Sequence, residues 1–179
     1  MGIYKGSADL SNVLKGNTEI SAIYKGDKEI WSAGLYFIKN NKIVGANVTT
    51  KATCSTYGKV QKVSDVEYQF TASNNRVYAE FKVNFASIVD ISKYKKLMYV
   101  YSITSNNSLS EAFADGRGVS VREGTASSST KIASASNQIG NYITFEFDIS
   151  NKKAIGLIEH SLYLIGGNFT FRLHDLYLK

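Results

Sequence analysis

The sequence predicts an all-β protein, an N-terminal β-meander of ten-residue repeats followed by a jelly-roll-like β-sandwich. Three observations predict it. Residues 3–31 repeat with a period of ten, too short for a helical-repeat unit and suited to one strand plus a tight turn. Beyond residue 34, apolar and polar residues alternate in segment after segment, and no stretch carries the spacing of an amphipathic helix. The composition, 44% hydrophobic with twelve Tyr, nine Phe and no Pro, suits the pleated, half-buried surfaces on which aromatic and β-branched residues pack.

The repeat aligns without gaps as Ile3-Tyr4-Lys5-Gly6, Val13-Leu14-Lys15-Gly16 and Ile23-Tyr24-Lys25-Gly26, with Asp9-Leu10, Glu19-Ile20 and Glu29-Ile30 also in register. Gly6-Ser7, Gly16-Asn17 and Gly26-Asp27 have the chemistry of a two-residue hairpin with Gly first. Side-chain matching suits a second register, with a three-residue loop that sets Lys15 against Glu19, Leu14 against Ile20 and Leu10 against Tyr24. A one-residue slip exchanges the faces, so both registers stay open. In the second, Leu10, Leu14, Ile20, Tyr24 and Ile30 share one face opposite Asp9, Lys15, Glu19, Lys25 and Glu29. One apolar face on so short a stretch cannot stand alone in water. It is expected to pack on the rest of the chain, on a second copy or on a larger particle, with Tyr4, Leu10, Leu14, Ile20, Tyr24, Ile30 and Trp31 as docking or oligomerisation residues. Trp31 stands where the earlier units have Ser11 and Ser21, and is expected to seal the meander against the sandwich. The period fails at Ser32-Ala33-Gly34, which divides the chain into a repeat module, 1–34, and a sandwich, 35–179.

Within the sandwich, Leu35–Lys39, Asn40-Asn41 and Lys42–Val44 read as strand, turn and strand, because Asn tolerates the left-handed conformations of a tight hairpin. Gly45 to Ser64 is polar and Lys/Thr-rich, and is expected to be loop with short edge strands. Val66, Tyr68 and Phe70 alternate with polar residues; after a turn at Ser73-Asn74-Asn75, so do Val77, Ala79, Phe81, Val83 and Phe85. A short turn or single helical turn at Val89–Tyr94 leads into Leu97–Ile103, apolar at nearly every position, as in a central strand covered on both faces. Residues 105–117 are expected to form the longest polar loop and an exposed rim. Val119 and Val121 restart a strand, and Gly124 to Thr130 reads as a flexible hairpin tip. Ile143, Phe145, Phe147 and Ile149 form a strand, Leu157–Ile165 another, and Gly166-Gly167 turns the chain into the closing strand. There the apolar parity passes from Phe169, Phe171 and Leu173 to Leu176 and Leu178, which implies a bulge at His174-Asp175. About eight half-buried strands need a second sheet to cover them, hence the sandwich.

The net charge of +6 is spread along the chain, as expected of lysines protecting strand edges, and no basic cluster interleaves with aromatics as a nucleic-acid surface requires. With Cys54 as the single cysteine, no intrachain disulfide can form. The N-terminus lacks the apolar run of a signal peptide, and no apolar stretch is long enough for a membrane span. The protein is therefore expected to be made in a cytoplasm without insertion into a membrane.

Catalytic chemistry finds little footing. His160 shares parity with Ile158, Leu162 and Leu164, as a buried hydrogen-bonded histidine would; His174 reads as an exposed strand-edge residue. Neither stands in a hydrolase or zinc motif, and two histidines with one cysteine do not build a typical zinc site. Glu146 and Asp148 share a strand face, as the two carboxylates of a glycosidase do across a cleft, but read as solvated acids. Asp115-Gly116-Arg117-Gly118 lacks the spaced acid and amide run of a calcium loop. No catalytic, metal or cofactor residue is assigned, and the protein is expected not to be an enzyme. Glycan binding would need an exposed aromatic with polar neighbours; Tyr57, Tyr78 and Arg117 are the candidate contacts.

The repeat from Ile3-Tyr4-Lys5-Gly6 to Lys25-Gly26-Asp27-Lys28-Glu29-Ile30-Trp31 resembles the short Tyr-Lys-Gly repeats at the N-termini of small virion and tail-appendage proteins of bacteriophages and prophages. Val89-Asp90-Ile91-Ser92-Lys93-Tyr94-Lys95-Lys96-Leu97, Phe147-Asp148-Ile149-Ser150 and the terminal Phe171-Arg172-Leu173-His174-Asp175-Leu176-Tyr177-Leu178 resemble the jelly-roll modules that follow such repeats. These cues are shared with carbohydrate-binding modules and other galactose-binding-like domains. The resemblance implies a non-enzymatic structural protein of a virion, with repeats that anchor it to other virion proteins or sister copies, trimers as the favoured assembly, and a sandwich projecting outward. The alternative it implies is a carbohydrate-binding module that attaches to host-surface glycan.

Overall fold

A computed structural model describes residues 13–15, 18–20, 22–25, 28–32, 34–45, 47–73, 75–105, 111–136, 138 and 140–179, and for 13–32 and 111–117 the backbone alone. The described elements are all strands. Four short ones come first: β1 (Val13–Lys15), β2 (Thr18–Ile20), β3 (Ala22–Lys25) and β4 (Lys28–Ser32). Then come β5 (Leu35–Lys39), β6 (Lys42–Ile43), β7 (Val48–Cys54), β8 (Gly58–Ser64), β9 (Glu67–Ala72) and β10 (Val77–Asp90). The long strands β11 (Lys96–Ser105), β12 (Glu111–Arg122), β14 (Gly140–Asp148), β15 (Ala154–Ile165) and β16 (Gly167–Leu178), with the short β13 (Lys131–Ala135), complete the chain.

Two antiparallel sheets face each other in a β-sandwich of jelly-roll type. One runs β13-β12-β15-β10-β7. The other runs β14-β11-β16-β5-β6, with β9 also on β16 and β8 on β9. The pleat sends alternate residues inward. Phe81, Val83, His160, Leu162 and Val121 come from the first sheet to meet Leu97, Tyr99, Tyr101, Phe171 and Leu173 from the second, all buried. Each large apolar side chain so enclosed contributes on the order of 1.5–3 kcal/mol, and the rings interlock edge-on, Tyr101 against His160 at 4.7 Å and His160 against Phe171 at 5.2 Å. As expected from its unbroken apolar run, β11 lies inside its sheet, between β14 and β16, and is buried on both faces from Leu97 to Ile103.

Several expectations need correction. Residues 48–64 are two seven-residue strands, β7 and β8, rather than mostly loop. Both lie on sheet borders, where Lys and Thr protect an edge and the apolar alternation fades. Residues 111–117 belong to β12, paired with β15 from Glu111↔Ile165 onward, rather than to an exposed polar loop. The polar Asp115-Gly116-Arg117-Gly118 falls at the register shift between Ala114 and Val119. Such a bulge carries loop-like residues inside a strand. A side chain at Gly118 would meet the Ala135 carbonyl oxygen at 2.0 Å, with φ at +53°. Strands β5 to β16 also make twelve rather than about eight.

The hairpin tip at 124–130 is fastened down. Arg122 donates to the Ser129 carbonyl at 2.8 Å, Ser127 bonds Glu159, and a Cβ on Gly156 would strike the Gly124 backbone at 2.5 Å. Glu159, buried on the outer side of β15, also pairs with Arg122 and with Lys82 at 3.1 Å. Burial alone would push its carboxyl up, but the bonds from Ser127, Arg122 and Lys82 outweigh this and hold it below the ordinary carboxylate value.

In the repeat, Lys15 pairs with Thr18 and Lys25 with Lys28, so two residues separate the strands of each hairpin. The alternative register, with Lys15 opposite Glu19, is not adopted: Glu19 lies opposite Leu14. The described pairing therefore has the spacing of the two-residue hairpin rather than that of side-chain matching. Among the described residues β1-β2 and β3-β4 are separate two-stranded sheets, where a continuous meander was expected.

Candidate functional site

The outer face of the larger sheet carries a cleft built from four adjacent strands. Register sets Val100 of β11 between Thr144 of β14 and Asp175 of β16. In the next row, Met98 lies between Glu146 and Tyr177, and Tyr177 pairs with Tyr36 of β5. Tyr142, two residues from Thr144, points to the same side of β14. Across the floor of Val100, Thr144 and Asp175, Tyr142 thus forms one wall and Tyr36 with Tyr177 the other. The cleft holds about 360 Å³, within the range of small-ligand sites.

The far wall is a stacked pair, the Tyr36 and Tyr177 rings 4.6 Å apart and 22° from parallel, with the Lys39 ammonium 4.7 Å from the centre of the Tyr36 ring. Tyr142 is 64% exposed and leans on His174, ring centres 4.9 Å apart. The expected bulge is present: Val100 pairs with Asp175 but Tyr101 with Leu173, leaving His174 extra. That additional residue turns Asp175 and Tyr177 outward while Leu173 and Leu176 stay in the core.

The β5-β6 hairpin locks this corner. Lys39 pairs with Lys42, and Asn40 and Asn41 between them take φ of 51° and 62°, as the sequence predicts. The Asn40 amide donates to Asp175 Oδ1 at 2.8 Å and the Asn41 amide to the His174 carbonyl at 2.9 Å. His174 Nδ1 lies 2.7 Å from Asn41 Oδ1 and Nε2 3.0 Å from Ser102 Oγ. Both contacts are met by a neutral ring with its proton on Nδ1, Ser102 donating to Nε2. Burial, then the nearby Arg172, pushes the His174 pKa down, consistent with that neutral form. Contrary to the expectation of an exposed strand-edge residue, His174 is half-buried and bonded through both ring nitrogens. The Tyr142 hydroxyl donates to Asp175 Oδ2 at 3.4 Å, and its pKa is raised by burial and by that carboxylate. The result is a trough with aromatic walls and a floor of carboxylate, hydroxyl and amide groups.

Two other described clefts lack this combination. One, on the same face, is lined by Gln69, Thr71, Thr104, Ser105, Asn168 and Thr170, without an aromatic. The other, on the opposite sheet, adjoins the Glu159 ion-pair network.

No family model matches the chain. No curated protein matches it in sequence. Among solved structures, it is similar to a mutant of a family 29 carbohydrate-binding module complexed with mannohexaose, at 8% identity and a TM-score of 0.47, over 83% of this chain and 93% of that one. Another mutant of the module, complexed with cellulohexaose, is similar at 8% identity and a TM-score of 0.46, over 82% and 90%. A further family 29 module is similar at 10% identity and a TM-score of 0.44, over 82% and 88%.

The candidate contacts Tyr57, Tyr78 and Arg117 lie elsewhere. Tyr57, 62% exposed, occupies the turn between β7 and β8. Tyr78 lies on β10, its hydroxyl bonded to Glu80 and Ser161 and its ring edge-on to Tyr163. Arg117 is in β12, its side chain outside the described residues. The docking set of Tyr4, Leu10, Leu14, Ile20, Tyr24, Ile30 and Trp31 also falls outside the described side chains. Glu146 pairs with Lys96, which holds its carboxyl below the ordinary value. Asp148 accepts from the Ser150 amide and hydroxyl, with the same effect. Neither is poised to donate a proton near neutral pH. Among the described residues no three His, Cys, Asp or Glu side chains gather as a metal site.

Tyr36, Tyr142 and Tyr177 were missed by sequence reasoning, although Tyr142 and Tyr177 carried a signal. Tyr142 precedes Thr144, Glu146 and Asp148 on the wet parity of its strand, and Tyr177 stands between Leu176 and Leu178. What no local pattern supplies is the strand order that gathers them.

Proposed function

We propose that this chain is a carbohydrate-binding module, and that the glycan lies in the trough between Tyr142 and the Tyr36-Tyr177 pair. The observation that carries this is the convergence of three tyrosines from β14, β16 and β5 around Asp175 and Thr144. Apolar ring faces suit the C–H surfaces of a sugar, while fixed acceptors and hydroxyls select its equatorial groups. The Asn40 amide and the Tyr142 hydroxyl hold the Asp175 carboxylate, so the acceptor is pre-organised before ligand arrives. Recognition without a chemical step suits this trough, since neither nearby strand acid is poised as a general acid.

Binding screened on a glycan array and measured by calorimetry tests the proposal. Tyr142→Ala and Tyr177→Ala are each expected to weaken binding at least about tenfold, or ~1.4 kcal/mol. The exposed Tyr142 can be lost with little change in melting temperature. Binding that survives both substitutions would place the ligand elsewhere.

The same proposal gives the repeats, residues 1–34, the task of attachment, with a bacteriophage virion as the particle and host-surface glycan as the target of the sandwich. Sequence resemblance alone supports that part, including assembly into an oligomer.

A further inference from the structure

The charges around the trough point to one class of glycan, an inference that rests on the carbohydrate-binding reading. Two charged side chains line the cleft, Lys39 and Asp175. Asp175 is engaged on both oxygens, by the Asn40 amide at 2.8 Å and the Tyr142 hydroxyl at 3.4 Å. Lys39 meets no carboxylate among the described residues; its ammonium is held against the Tyr36 ring at 4.7 Å. Across the same two-residue turn stands Lys42, its backbone partner, likewise without a carboxylate partner among the described residues.

Three other cations on this face meet a carboxylate. Arg172 is bonded to Glu67 at 2.7 Å, Lys96 is bonded to Glu146, and Lys179 lies 4.0 Å from the same carboxylate. His174 is neutral, both its nitrogens occupied as described above. The amide and hydroxyl on Asp175 are neutral donors that leave its charge in place, so the β5-β6 corner sets two lysines, Lys39 and Lys42, against one carboxylate, a positive excess on a chain whose net charge is +6. A lysine held over an aromatic ring has lost part of its rotamer freedom in advance, and presents a localised charge at the rim of the tyrosine wall.

We infer that the trough selects an acidic glycan, one whose sugar lies between the tyrosine walls and whose carboxylate or phosphate group pairs with Lys39. Asp175 then reads ring hydroxyls, and the anionic substituent is read at the wall. A neutral sugar would leave the Lys39 charge unused, while an acidic one gains an ion pair at a half-exposed position where it is screened by salt.

The test uses the whole chain against uronate-containing and phosphate-bearing oligosaccharides, each beside its neutral counterpart, methyl-esterified or dephosphorylated. An acidic member is expected to bind about tenfold more tightly than its neutral form. Its affinity should fall as NaCl is raised, and Lys39→Gln should erase the preference while Lys39→Arg retains it. The uronate and phosphate arms identify which group supplies the charge. Equal binding of acidic and neutral forms, or a preference unchanged in Lys39→Gln, overturns the charge inference and leaves the carbohydrate-binding reading standing. Binding of neither form removes that reading, and this inference with it.

Discussion

His160 is a base enclosed in an aromatic core. Its imidazole is fully buried, its Nδ1 lies 3.3 Å from the Tyr99 hydroxyl, and burial lowers its pKa from 6.5 to about 3. In the unfolded chain the ring takes up a proton at higher pH than in the folded one, so folding stability is present above pH 6.5 and is lost as pH falls toward 3. The steepest contribution of one such group is ~1.4 kcal/mol per pH unit. Urea denaturation between pH 6.5 and 5 should show a shallower loss of stability in His160→Gln than in the unaltered protein; parallel pH profiles would refute the buried neutral state. The parity of Ile158, His160 and Leu162 already announced this burial. It did not announce the partners, since Tyr99, Tyr101 and Phe171 belong to the opposite sheet.

The β5-β6 hairpin and the β16 bulge act as one corner. The hairpin brings two Asn residues into left-handed conformations and spends their backbone amides on Asp175 and on the bulge carbonyl. A β-branched residue adopts positive φ only under strain. Asn41→Val should therefore cost about 1–2 kcal/mol in denaturant titration, while Asn41→Gly, free of that strain, should cost less. Both lose the Asn41 side-chain bond to His174 Nδ1, so both should weaken glycan binding; equal stability of the two variants would contradict the turn's role. The turn was readable from Asn40-Asn41 and the bulge from the change of parity after Leu173, because both are local backbone signals. Their meeting was not, because β5 and β16 are separated by most of the chain. Strands β7 and β8 were hidden for a different reason: an edge strand replaces apolar alternation with Lys and Thr, so its sequence resembles loop.

On the scale of the whole molecule, the two sheets share a core drawn from both inner faces, whereas β1-β2 and β3-β4 pair among themselves in the described residues. Gly34 stands where the chain meets the sandwich; a Cβ there would lie 2.9 Å from the Leu178 carbonyl oxygen. A chain of residues 34–179 is expected to unfold within a few degrees of the full-length protein, an offset that corresponds to less than about 1 kcal/mol. A drop of ten degrees or more in calorimetry would show that the repeats belong to the fold. Strand type, the alternation that fills the core, the Asn turn, the bulge and the absence of amphipathic helix spacing were determined by the sequence itself, because each depends on residues within a few positions of one another. Only the tertiary structure decided that Tyr36, Tyr142 and Tyr177 stand around one carboxylate. The order β14-β11-β16-β5 makes neighbours of residues more than a hundred positions apart, and that order is set by how two inner faces exclude water together rather than by any local pattern.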